Sequence, residues 1–209
     1  MQQGIRNIPT RGIRRGAMAL ALAAALTSIL AAAAPAHAVD DDEPCEPAGA
    51  GMVIDQSGAG AGVVIVGTPD DDLLIGSPFN DVIIGGGGFD RIEGGGGDDD
   101  IRGDGIAGQP PGEDLIFGQE GDDEILGDHC DDTIHGGAGD DKASGDEGHD
   151  LLTGGTGDDV LAGGVGDDDM LGGPDDDTID GQAGTDRGHG GPAAGADFCS
   201  AATETVINC

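Results

Sequence analysis

Tryptophan and tyrosine are absent from this chain of 209 residues, and phenylalanine occurs only at Phe79, Phe89, Phe117 and Phe198. With so few large side chains and 44 glycines to order, the chain has little apolar surface to offset the entropy of folding. Without a ligand it is expected to be largely disordered. Positive charge is equally scarce, with eight Lys and Arg against 42 Asp and Glu. Binding nucleic acid or anionic lipid requires positive charge to neutralise phosphate. Both partners are therefore excluded, and the expected counter-charge is a cation. Common catalytic motifs are missing too. No His is followed by Glu, no Gly-x-Ser-x-Gly occurs, and the one lysine, Lys142, follows Asp141 instead of a phosphate-binding loop.

Residues 1–38 read as an export signal. Arg6, Arg11, Arg14 and Arg15 precede a run of apolar or small residues from Ala17 to Ala34, and Ala36-His37-Ala38 has the small-x-small pattern of a signal-peptidase site. The run is about long enough to span a bilayer. It is mostly Ala, however, and a cleavage pattern follows at once, which favours secretion over an anchor, with no membrane insertion after cleavage. Arg14-Arg15 is followed by Gly and Ala where a twin-arginine signal wants stronger hydrophobes. Cleavage removes four of the eight basic residues and no acidic one, since the first acidic residue is Asp40. Residues 39–66 then form an acidic leader and an N-terminal cap, in which the VVIV run of Gly58–Val66 is a short strand. So short a segment holds no catalytic domain, and no enzyme is expected.

From Gly67 the chain repeats. GGAGDDKAS, GDEGHDLLT, GGTGDDVLA and GGVGDDDML follow one another without a gap from Gly136 to Leu171. In these units Gly stands at the first and fourth places, Asp at the sixth, and a small or apolar residue at the eighth. The sixth-place aspartates are Asp72, Asp81, Asp90, Asp99, Asp114, Asp123, Asp132, Asp141, Asp150, Asp159, Asp168, Asp177, Asp186 and Asp197, and eleven of their thirteen intervals are nine residues. The two longer intervals mark an inserted loop near 104–112, where Pro110-Pro111 rules out strand pairing, and a second insertion within Gly190–Asp197. A period of this kind marks a solenoid of stacked units. Glycine permits the tight turn and lets carbonyl oxygens face an ion. The x-U-x segment (U, a large aliphatic residue) is a strand of about three residues with its middle side chain inward. The inward candidates are Leu74, Ile83, Ile92, Ile101, Ile116, Ile125, Ile134, Leu152, Leu161, Met170 and Ile179.

These units match Gly-Gly-x-Gly-x-Asp-x-U-x, and over residues 67–200 the chain resembles the RTX, or haemolysin-type, calcium-binding repeat family. The resemblance implies an all-β parallel β-roll, a right-handed β-solenoid with two nonapeptides per turn and short caps at both ends, residues 201–209 forming the C-terminal one. It further implies several Ca²⁺ ions, each between same-edge turns two repeats apart and held by sixth-place carboxylates with glycine carbonyls. The metal ligands so implied are Asp90, Asp99, Asp114, Asp123, Asp132, Asp141, Asp150, Asp159, Asp168 and Asp177, in pairs such as Asp123 with Asp141, Asp141 with Asp159 and Asp150 with Asp168. All-oxygen sets of six to eight ligands are what Ca²⁺ prefers. The fifth-place aspartates Asp98, Asp122, Asp140, Asp158 and Asp167 are expected to face solvent and tune charge.

Several units depart from the pattern. Asp70, Phe79, Cys130 and Asp175 stand at the fourth place, which puts the first two units in doubt as ion sites. Ala143, Gly188 and Cys199 leave gaps in the inner row, and the last two units should be the loosest. The four cysteines of an exported chain suggest two disulfides: Cys199 with Cys209 stapling the C-terminal cap, and by elimination Cys45 with Cys130. The alternative is that Cys45 and Cys130 are free, or that one of them bonds another molecule. His129, His135, His149 and His189 fall at varying places in the repeat and read as outward-facing. The functional expectation is a secreted calcium-binding protein whose folding is coupled to the ion. The alternatives are a matrix or cell-surface spacer or adhesin with an unknown partner, or a relative of RTX toxins and hydrolases lacking the catalytic domain.

Overall fold

Alternation along each unit decides the architecture. In Leu151-Leu152-Thr153-Gly154 the second and fourth residues are buried while the first is exposed, the period of a strand with one face on a core. The computed structural model describes Cys45 and residues 49–192 and 198–200. Sixteen strands are found there, and they stack into two parallel sheets of eight.

One sheet contains β1 (Ala50–Asp55), β3 (Asp71–Ile75), β5 (Arg91–Gly96), β7 (Leu115–Glu120), β9 (Thr133–Ala138), β11 (Leu151–Thr156), β13 (Asp169–Leu171) and β15 (Arg187–His189), in that order. The other runs from β2 (Val64–Val66) through β4 (Val82–Ile84), β6 (Asp100–Arg102), β8 (Glu124–His129), β10 (Lys142–Glu147), β12 (Val160–Val165) and β14 (Thr178–Ala183) to β16 (Phe198–Ser200). Consecutive strands lie in opposite sheets, so two nonapeptides close one turn. This is the parallel β-roll expected above.

The core is one residue wide on each side. Leu74, Ile92, Ile116, Ile134, Leu152 and Met170 stack in register in the first sheet. Ile65, Ile83, Ile101, Ile125, Ala143, Leu161 and Ile179 do so in the second. All of them are buried. At the C-terminal end Met170 pairs with Gly188, where the row has no side chain, and Ile179 with Cys199, which packs against the core.

Three features differ from the sequence reading. Most strands are longer than three residues, because pairing continues through the next unit's opening glycines. Gly155 and Thr156 of β11, for example, still pair with Gly137 and Ala138 of β9. The leader also contributes a strand of its own, β1, beside β3, while the expected VVIV cap strand spans only Val64–Val66. Finally, the inserted loop forms no strand, but it docks on the roll, its Pro110 carbonyl accepting the Gly88 N–H.

Cys45 and Cys130 form a disulfide that links residues 85 apart in sequence, with Cα atoms 6.3 Å apart. Cys199 is also disulfide-bonded, and Cys209, the partner expected for it, lies outside the described residues. So do the export signal, residues 39–44 and 46–48 of the leader, Asp197 and residues 201–209.

Candidate metal centre

Strand alternation turns two residues of each unit inward, the eighth-place aliphatic and the first-place glycine of the next unit. The aliphatic fills the core. The space beside the glycine is taken by the carboxylate of its own turn: a Cβ on Gly127, Gly145, Gly154 or Gly163 would overlap Oδ2 of Asp132, Asp150, Asp159 or Asp168. Glycine is thus required at the first place by an inward-pointing aspartate and not by a left-handed φ. The second and fourth places do take left-handed backbone, as at Gly137 (φ 131°) and Gly139 (φ 137°).

The sixth-place aspartates line up along the two edges of the roll. Asp90, Asp114, Asp132, Asp150 and Asp168 precede β5, β7, β9, β11 and β13, while Asp99, Asp123, Asp141, Asp159 and Asp177 precede β6, β8, β10, β12 and β14. Each is at most 3% exposed. From Asp90 to Asp168 the backbone N–H of each donates to Oδ1 of the next aspartate on its edge. Asp123 thus donates to Asp141 at 2.9 Å, Asp141 to Asp159 at 2.9 Å and Asp150 to Asp168 at 2.9 Å. The six residues of the inserted loop do not break the ladder, since Asp90 still donates to Asp114 and Asp99 to Asp123, both at 2.8 Å.

One oxygen per carboxylate is left over. Oδ2 of Asp90, Asp99, Asp114, Asp123, Asp132, Asp141, Asp150, Asp159 and Asp168 is buried with no hydrogen-bond partner. A buried, unsatisfied carboxylate oxygen is costly, and nine of them in two files need a common explanation.

Their electrostatics show the same strain. Burial is the main cause that pushes Asp90, Asp99, Asp123, Asp150 and Asp159 up to about 7, against the opposing hydrogen bond from the preceding aspartate's N–H. Asp141 and Asp168 rise to about 6 for the same reason. The shift is greater beside the inserted loop. Burial, then the charges of Asp104, Asp90 and Asp128, raise Asp114 to about 9. Burial, then the charge of Asp114, raise Asp132 to about 10. A bound cation would reverse this balance and favour the ionised form.

The donor set fits a hard cation. The unsatisfied atoms of the two files are carboxylate oxygens, neither sulfur nor imidazole, which suits Ca²⁺ and not a thiolate- or imidazole-seeking metal. Among the described residues no group of three or more His, Cys, Asp or Glu side chains converges to hold an ion unaided. Each ion would therefore take a carboxylate pair from neighbouring turns and complete its shell with main-chain oxygens.

Two features escaped the sequence reading. The fifth-place aspartates are exposed as expected, but on one edge they form a second ladder: Asp122 N–H donates to Asp98, Asp140 to Asp122, Asp158 to Asp140 and Asp176 to Asp158. It runs in the opposite sense to the inner ladder. The second place also carries acid on three successive turns of the other edge, Asp104, Asp128 and Asp146. Asp104 is 5% exposed and is raised to about 8 by burial and by the charge of Asp128. A tabulation of second-place residues by edge, and not along the chain, would have found this column.

Comparison with known families gives one result. A family model described as the RTX calcium-binding nonapeptide repeat matches four times, at residues 75–105, 111–143, 144–179 and 163–198, which together cover more than half of the chain. No curated protein matches the chain.

Proposed function

This chain belongs to the RTX calcium-binding nonapeptide-repeat family, and on that basis we propose that it is an exported protein in which calcium binding and folding are one equilibrium. The observation that carries this reading is the pair of files of buried carboxylate oxygens without protein partners. Ca²⁺ bound there would supply positive charge and oxygen coordination to groups that otherwise make the folded state costly. The residues that would hold it are Asp90, Asp114, Asp132, Asp150 and Asp168 on one edge and Asp99, Asp123, Asp141, Asp159 and Asp177 on the other. A ligand that binds only the folded chain stabilises it by mass action.

Export is supported by the basic start, the Ala-rich run and Ala36-His37-Ala38. Among the described residues no constellation for catalysis accompanies the ladders, and we read the protein as a binding module and not an enzyme. The test compares variants by equilibrium dialysis against calcium. Asp141→Ala and Asp159→Ala should raise the calcium needed for half-saturation several-fold, and Asp158→Ala should raise it much less. Equal effects at Asp158 and Asp159 would contradict the assignment of the inner ladder as the ligand set.

A further inference from the structure

The first turn on each edge is built differently from those that follow, and the difference lies at the second place. Thr68 stands there in the unit opening at Gly67, and Ser77 in the unit opening at Gly76. Both side chains close on the carboxylate of their own turn. Asp72 Oδ2 accepts Thr68 N–H at 2.6 Å and the Thr68 hydroxyl lies 3.0 Å away, while Oδ1 accepts Met52 N–H. Asp81 Oδ2 accepts Ser77 N–H at 2.5 Å, and its Oδ1 accepts the Ser77 hydroxyl at 2.9 Å and Val63 N–H at 2.6 Å.

Each of these two carboxylates thus has three protein donors spread over both oxygens. From Asp90 to Asp168 the inner carboxylates accept an N–H at Oδ1 and have none at Oδ2. The backbone differs in parallel. Neither the second nor the fourth place of these two units, Thr68 and Asp70 or Ser77 and Phe79, has a positive φ, whereas Gly86, Gly88, Gly95 and Gly97 in the next two units all do.

We infer that the turns opening at Gly67 and Gly76 take no cation, because Thr68 and Ser77 supply from within the chain the donors that calcium replaces elsewhere. The first cation on each edge then lies between Asp90 and Asp114, and between Asp99 and Asp123. Residues 67–84 form a cation-independent end on which the calcium-dependent turns stack through the Asp72-to-Asp90 and Asp81-to-Asp99 bonds. This rests on the calcium-binding reading above and sharpens it by assigning the second-place residue as the determinant of which turns bind.

The test counts ions on the full-length protein by native mass spectrometry at saturating calcium. Asp72→Asn with Asp81→Asn should leave the calcium count unchanged, whereas Asp141→Asn with Asp159→Asn should lower it by at least one ion. Loss of calcium from the first double variant would overturn the inference while leaving the family reading intact. A wild-type protein that binds no calcium would instead overturn that reading and this inference with it. Hydrogen exchange guards against misfolded variants. In the wild-type protein without calcium, amides of residues 67–84 should exchange at least ten-fold more slowly than those of 118–186, and Thr68→Val with Ser77→Ala should erase the difference. Equal exchange of the two regions in wild-type protein, with calcium protecting both, would overturn the inference alone.

Discussion

At the scale of the residue, the aspartate carboxylate explains its neighbours. Its inward orientation forbids a Cβ on the glycine that opens the unit. Its burial also sets the pH behaviour of the calcium-free roll. From Asp90 to Asp168 the inner aspartates have an ordinary value of 3.8 and are raised in the folded state to between about 6, at Asp141 and Asp168, and about 10, at Asp132. The folded chain therefore holds more protons than the unfolded chain across that interval, and its stability must fall as pH rises. Calcium-free protein should be most ordered near pH 4 and lose order progressively toward pH 7 and above. Circular dichroism of resin-stripped protein across this range checks the sign, and order that grows with pH would contradict it. Calcium binding should correspondingly release protons and tighten as pH rises.

At the scale of the element, a strand here is held by its ladder and by one inward side chain per nonapeptide. Leu152 is fully buried between Ile134 and Met170, while Thr153 beside it, on the other face of the strand, is half-buried. Leu152→Ala should destabilise the calcium-saturated roll by about 2–5 kcal/mol, and Thr153→Ala should change it by about 0.5 kcal/mol or less. Denaturant unfolding at fixed calcium measures both.

This is also where the sequence was most and least legible. The eighth-place row, from Leu74 to Ile179, followed directly from the period, as did the two-edged placement of the aspartates once the family resemblance was recognised. The strand β1 did not, because Ala50–Asp55 carries no repeat signature and is ordered by pairing with β3. Nor did the closure of Asp72 and Asp81. Thr68 and Ser77 look like simple departures from glycine until their hydroxyls are placed against the carboxylates. The column of Asp104, Asp128 and Asp146 was hidden for a similar reason, since residues 18 or 24 apart in the chain become neighbours only when the roll is wound.

At the scale of the whole molecule, the roll combines a thin core with an excess of like charge. Among the described residues thirteen buried apolar side chains make up its hydrophobic cluster, set against 42 acidic residues and eight basic ones in the chain. Self-repulsion of this size opposes compactness. The Cys45–Cys130 bond works against it by closing a long loop, a constraint that chain-entropy reasoning values at roughly 4–5 kcal/mol. Cys45→Ser with Cys130→Ser should therefore raise the calcium concentration needed for folding without lowering the number of ions bound at saturation. An unchanged midpoint would show that the bond does not restrain the calcium-free chain.

The claim that joins these scales is that calcium and the fold appear together. Far-UV circular dichroism of the full-length protein, stripped of calcium at neutral pH and titrated to millimolar Ca²⁺, tests it most directly. The expected result is a largely disordered spectrum that converts cooperatively to β-structure and reverts on adding chelator. A spectrum unchanged across the titration would contradict it.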